Sequence, residues 1–133
     1  MKDFAISEWN RAWLTLNSGR ILLKTDPDSS VSRAYYAAFH GLTAYFALRG
    51  RSFSKHTAIR SALHKELICT KILKADIGQA YDFLMDLREV GDYGGINKVS
   101  EENAEMALEK SEAILNSIKE LSTELSAISL EEF

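Results

Sequence analysis

The chain has 133 residues, 46% hydrophobic and 26% charged, with a net charge of −3. That length suits one domain able to bury a core without disulfides or a metal, and the composition excludes a disordered chain. Sixteen Lys and Arg against nineteen Asp and Glu exclude broad, charge-driven binding of nucleic acid, while leaving room for a local basic site.

Hydrophobic periodicity predicts five helical segments and no strand. The first runs from about Asp3 or Ser7 to Lys24, with Ile6, Trp9, Trp13 and Leu16 on one face. It is expected to stop before Asp26-Pro27-Asp28, because the residue before a proline avoids the helical region. The second runs from about Ser29 to Leu48, capped by Asp28, Ser29 or Ser30. Its apolar stripe is Val31, Ala34, Tyr35, Ala38, Phe39, Leu42, Tyr45 and Phe46. Gly41 breaks it at a propensity cost of about 1 kcal/mol, which suggests a neighbouring helix approaching closely. Gly50 follows its end, where a left-handed residue is easy.

The third segment runs from about Ser54 to Leu67, with Ile59, Leu63 and Leu67 inward. The fourth runs from about Ala75 to Val90, with Ile77, Tyr81, Leu84, Met85 and Leu87 inward, and ends in the glycine-rich turn Gly91 to Gly95. The fifth runs from about Ser100 to Leu125 over Ala104, Ala107, Leu108, Leu115, Ile118, Leu121 and Leu125. The tail, Leu130 to Phe133, is expected to fray. Short connections between amphipathic helices predict an all-α, up-and-down antiparallel bundle of four to five helices, forming one domain over residues 1–133.

Cys69 is the sole cysteine, so no internal disulfide and no Cys-x-x-Cys zinc site can form. No apolar run has the length of a signal peptide or a membrane span, and a cytoplasmic protein is expected. The phosphate-binding loops, the HExxH zinc motif and the GxSxG elbow are absent. His40, His56 and His64 lack the spacing and acidic company of a metal triad, so neither metal nor cofactor is expected.

Three polar clusters stand out. Arg33, Tyr36 and His40 are spaced i, i+3, i+7, which places them in one stripe beside the apolar face. Their plain structural role would be at the boundary of the bundle. Lys55 and His56 stand at the start of the third segment, where a phosphate or carboxylate would be attracted or where they simply face solvent. Arg88 and Asp92 are i, i+4, suited to a surface ion pair worth about 0.5 kcal/mol or less. Alternatively Arg88 contacts phosphate, and Tyr93 stacks or donates a hydrogen bond beside it.

Taken in order, Ser32-Arg-Ala-Tyr-Tyr-Ala-Ala-Phe-His-Gly41, Lys55-His56 and Arg88-Glu-x-x-Asp-Tyr93 resemble the HEPN family, from about Phe4 to Leu125. The resemblance implies a four- to five-helix bundle that dimerises. Such proteins often pair with a minimal nucleotidyltransferase as toxin and antitoxin, the HEPN member being a metal-independent ribonuclease. The family's catalytic motif is an arginine and a later histidine with four to six residues between them. Arg88 fits the arginine, but no histidine follows it, and Tyr93 stands five residues on. A tyrosine, with a free pKa of about 10, is a poor general base at neutral pH. The pair Arg33 and His40 has the spacing but lies on an earlier helix.

Three functions follow as expectations. One is a HEPN-type module of a toxin–antitoxin-like pair, with Arg33, Lys55, His56 and Arg88 on phosphate, Tyr36 and Tyr93 on a base, and Asp92 beside them. Its partners would be a second copy, a nucleotidyltransferase, and RNA or a nucleotide. The second is a metal-independent ribonuclease with a rearranged site, His40 or His56 supplying acid or base and Arg33 and Arg88 stabilising charge. The third is a helical dimerisation scaffold, held by contacts such as Arg33–Asp92 or His40–Tyr93.

Overall fold

A computed structural model of the chain describes residues 2–94 and 99–128. Its order is α1 (Lys2–Leu22), α2 (Pro27–Ala47), α3 (His56–Ala62) continued by a π-helical turn (Leu63–Ile68), α4 (Ala75–Tyr93), α5 (Glu101–Leu121) and a short α6 (Thr123–Ser126). The described residues contain no strand, and the helices form the expected all-α bundle.

Helix α2 is the central element. Small residues, Ala34, Ala37, Ala38, Gly41 and Ala44, are buried around it together with Tyr35, Leu42, Tyr45 and Phe46. A helix buried around most of its circumference needs neighbours on several sides, and α2 packs against α1, α4 and α5. Trp9 and Leu16 of α1, Ile59 of α3, Leu63 of the π turn, Tyr81 and Leu84 of α4, and Ile114, Leu115 and Ile118 of α5 complete the core. Gly41 sits at a close approach: a Cβ there would lie 2.4 Å from Leu115 Cδ2. Gly50 adopts φ +73°, the left-handed value expected just beyond a helix end. Buried hydroxyls are satisfied by backbone carbonyls, Ser30 Oγ donating to Gly19 O and Ser111 Oγ to Ala34 O, each at 2.7 Å.

Several helix boundaries differ from expectation. Helix α2 starts at Pro27 instead of Ser29, because Asp26 is the cap and accepts from Ser29 N at 3.2 Å. Proline is well suited to that first helical position, where its missing N–H is not needed. The third segment starts at His56 and widens into the π turn from Leu63. Helix α4 continues through Gly91 to Tyr93, and Gly94 N donates to Val90 O at 2.9 Å to close it. Of the expected glycine turn, Gly95 lies outside the described residues, as does the tail Leu130 to Phe133. Helix α5 stops at Leu121, since Ser122 is extended and its Oγ accepts from Leu125 N at 3.2 Å, starting α6.

The C-terminal end of α4 is tied to the start of α2. Val99 N donates to Asp28 Oδ1 at 3.0 Å. A Cβ on Gly91 would lie 3.3 Å from Asp28 O. This seam brings Asp92 beside the stripe that begins at Arg33.

Candidate functional site

An open cleft of about 780 Å³ runs along one side of the α1–α2 contact. Residues Arg11, Thr15, Ser18 and Leu22 of α1, at successive turns, form one wall. Ser29, Arg33, Tyr36 and His40 of α2 form the other, by the same spacing, and Asp92 of α4 reaches the edge. The stripe Arg33, Tyr36 and His40 is therefore one surface, as the sequence spacing implied.

Arg11 and Arg33 have no ion-pair partner among the described residues. Two unneutralised guanidiniums on facing walls favour an anion between them. Asp26 also lines the cleft, but its carboxylate accepts from Ser29, and those hydrogen bonds lower its pKa. Asp92 is engaged by Arg88, whose Nε donates to Oδ2 at 3.1 Å. The hydroxyls of Thr15, Ser18, Ser29 and Ser32 add neutral polar lining.

His40 is oriented by a carboxylate. Its Nδ1 lies 3.0 Å from Glu8 Oε1, and both side chains are mostly buried, at 17% and 14% exposure. A carboxylate accepts, so Nδ1 donates and Nε2 is left for the cleft or solvent.

Behind Tyr36 stands an aromatic block of Tyr35, Phe39, His56 and Tyr81. His56 stacks on Phe39 with centroids 4.4 Å apart and meets Tyr36 edge-on at 5.6 Å. Its Nδ1 lies 2.9 Å from the Tyr35 hydroxyl, which lies 3.5 Å from that of Tyr81. The Arg88 guanidinium carbon sits 5.1 Å from the Tyr35 ring centroid and 5.2 Å from that of Tyr36. These are cation–π distances, and they hold the arginine against the block. Burial lowers the pKa of His56 first, and the nearby charges of Arg88 and His40 lower it further. Burial raises the pKa of Tyr35 and Tyr81, so both remain neutral hydroxyls.

The structure thus gathers Arg33, Tyr36, His40 and Asp92 in the cleft and sets Arg88 and His56 against the aromatic block that supports Tyr36. Two other sequence candidates stand apart. Lys55 precedes α3, exposed, and Tyr93 is 78% exposed, neither of them lining the cleft. The contacts expected of a pure scaffold, Arg33–Asp92 and His40–Tyr93, are replaced by Arg88–Asp92 and Glu8–His40. Among the described residues no three His, Cys, Asp or Glu side chains gather as a metal site requires.

Sequence reasoning passed over Glu8, Arg11, Tyr35 and Tyr81. Glu8 and His40 are 32 residues apart, and no local pattern links them. Tyr35 and Tyr81 read as core because they fall on apolar stripes. The available signal was that a buried tyrosine needs a partner for its hydroxyl.

A second polar group joins the π turn to α4. Asp82 Oδ1 accepts from Arg60 Nε at 2.8 Å and meets His64 Nε2 at 3.0 Å. Gly78 makes room for that histidine, since a Cβ there would lie 2.8 Å from His64 Cε1.

No described helix is long and apolar enough to cross a membrane. A HEPN domain model matches residues 6–121. A UPF0332 protein of Thermotoga maritima is 33% identical over 126 residues, covering 93% of this chain and 96% of that protein. The Methanocaldococcus jannaschii protein named "Putative toxin MJ0142" is 28% identical over 92 residues, covering 69% of this chain and 63% of that protein. The crystal structure of TT1696 from Thermus thermophilus has the same fold, with a TM-score of 0.76 at 19% identity, covering 89% of this chain and 98% of that one. The stripe from Arg33 to His40 therefore lies inside a match that runs nearly the length of the molecule, and the chain belongs to the HEPN domain family.

Proposed function

We propose that this chain is the HEPN module of a toxin–antitoxin-like pair and that the α1–α2 cleft binds the phosphate of a nucleotide or RNA strand. The observation that carries this is the pair of guanidiniums, Arg11 and Arg33, unneutralised on facing walls beside Tyr36 and His40. Phosphate takes two such forks readily, and Tyr36 offers a ring on which a neighbouring base stacks. The similarity to a protein named as a toxin supports the setting. In this reading the module acts in the cytoplasm as a homodimer, with a small nucleotidyltransferase as its partner protein.

The test is fluorescence anisotropy with a labelled oligoribonucleotide at low and moderate salt. Binding that weakens about tenfold in Arg33→Ala, a loss of about 1.4 kcal/mol, supports the reading. Equal affinity of wild type, Arg11→Ala and Arg33→Ala sinks it.

One observation favours a second reading, RNA cleavage without metal. Glu8 orients His40 in the manner of a carboxylate behind a general base, with the cleft arginines placed to stabilise phosphate charge. Incubation of the protein with mixed RNA in chelator tests it. Cleavage lost in His40→Ala supports the reading, and intact RNA at every protein concentration removes it.

A further inference from the structure

His40, in the cleft, and His56, in the aromatic block, differ in how they are held. His40 donates its Nδ1–H to Glu8, but among the described residues no carboxylate bonds His56. His56 meets the Tyr35 hydroxyl and the rings of Tyr36 and Phe39 on α2, and the charges that act on it are those of His40 on α2 and Arg88 on α4.

The proton order in this block follows from what can be left unmade. Tyr81 is fully buried, and its hydroxyl has one partner among the described residues, the Tyr35 oxygen at 3.5 Å. If Tyr35 donated to Tyr81, the Tyr81 O–H would point into the core with no acceptor among the described residues. A buried donor without an acceptor is the costlier orphan, because an oxygen tolerates an unused lone pair better than a proton tolerates no partner. Tyr81 therefore donates to Tyr35. Tyr35, its oxygen already accepting, turns its own proton to His56 Nδ1 at 2.9 Å. A nitrogen that accepts carries no proton, so the ring proton of neutral His56 belongs on Nε2. That atom has no partner among the described residues and is not sealed from solvent.

We propose that Tyr81 and Tyr35 form a proton-ordered relay that fixes His56 as its Nε2–H tautomer, making His56 a hydrogen-bond donor to a phosphate oxygen next to Arg88. The ligand half of this rests on the phosphate-binding reading above; the relay half does not. Arg88 is held against Tyr35 and Tyr36, the same two rings that His56 contacts, and its charge acts on His56. His56 then cannot act as a base through Nε2, and of the two histidines only His40 offers an acceptor there. Tyr35 and Tyr81 are positioning residues. They touch no ligand and act through the ring they orient.

The first measurement is long-range proton–nitrogen correlation NMR of the histidine rings in the ligand-free protein, from pH 5.5 to 8. The expected result is neutral His56 with the proton on Nε2. In Tyr35→Phe the two tautomers should mix and the ring should titrate nearer its ordinary value. Should that variant fail to fold, Tyr81→Phe should show a smaller shift in the same direction. A proton on Nδ1 in the wild type, or a tautomer unmoved by either substitution, overturns the relay.

The second measurement is titration with adenosine triphosphate and, separately, with a short oligoribonucleotide. His56→Gln, which keeps a donor, should bind within about threefold of wild type, and His56→Ala about tenfold more weakly. Which of the two probes shows this identifies the source of the phosphate. Equal affinity in His56→Ala overturns the donor role. Binding of neither probe by the wild type removes the phosphate reading, and the NMR result then stands or falls alone.

Discussion

Glu8 Oε1 accepts from His40 Nδ1 at 3.0 Å, joining α1 to α2 at the end of the cleft. Both side chains are mostly withdrawn from water, so removing one leaves the other with an unmet polar group. We predict that His40→Ala lowers unfolding free energy by about 1–3 kcal/mol, the usual cost of breaking a half-buried charge-assisted bond. Urea denaturation of both single variants and the double variant measures it. A coupling energy near zero in that cycle would show that the contact contributes nothing of its own.

Arg11 and Arg33 should behave in the opposite way. Both are exposed and without ion-pair partners among the described residues, so Arg11→Ala and Arg33→Ala should change stability by no more than about 0.5 kcal/mol. Their effect should appear instead in the salt dependence of RNA binding. Each lost phosphate contact should reduce the slope of log affinity against log salt by about 1. Anisotropy titrations at several salt concentrations separate this from a loss of fold.

Much of this architecture is readable in the chain, and the unread part has a common cause. Trp9 and Leu16, Ile59 and Leu63, and Leu115 and Ile118 lie at helical spacing and are buried as expected. The stripe Arg33, Tyr36, His40 and the pair Arg88–Asp92 are readable for the same reason, since helical geometry alone brings them together. Glu8 with His40, and Tyr81 with Tyr35, are pairings between helices that periodicity does not encode. Helix α2 starts two residues ahead of its expected position because the Pro27 ring, a stop for the preceding helix, also suits the first position of the next. The π turn has no spacing signature, and it shows in the i→i+5 bond from Cys69 N to His64 O at 2.8 Å.

The depressed pKa of His56 makes stability depend on pH with a definite sign. In the unfolded chain this histidine takes up a proton near pH 6.5. In the folded protein burial and the positive charges of Arg88 and His40 postpone that uptake to lower pH. Between the two values the unfolded state holds more protons, so stability falls as pH is lowered. The contribution is fully present above about pH 7.5, starts to be lost near 6.5, and is lost completely below the folded value. We predict that urea midpoints of wild type drop from pH 7.5 to 5.5 by more than those of His56→Gln. Parallel pH profiles for the two proteins would contradict it.

Gly41 supplies a test of the packing that shapes the cleft. It lies one residue after His40, about 100° further round the helix, and faces α5, where Leu115 and Ile118 are fully buried. A Cβ here would come within 2.4 Å of Leu115 Cδ2, far inside van der Waals contact. Trp9 closes the other side, its Cζ3 being 3.6 Å from the same point, so Leu115 has little room to move. Helix propensity favours replacing glycine by up to about 1 kcal/mol, and overpacking a tight core costs about 1–3 kcal/mol. Valine gains less propensity than alanine and adds two methyl groups at the collision. We predict that Gly41→Val lowers unfolding free energy by about 2 kcal/mol or more, and that Gly41→Val with Leu115→Ala recovers part of the loss by vacating the contested volume. Thermal or urea denaturation of the two variants decides it. A Gly41→Val protein as stable as wild type would mean that α2 and α5 are not in contact at this point.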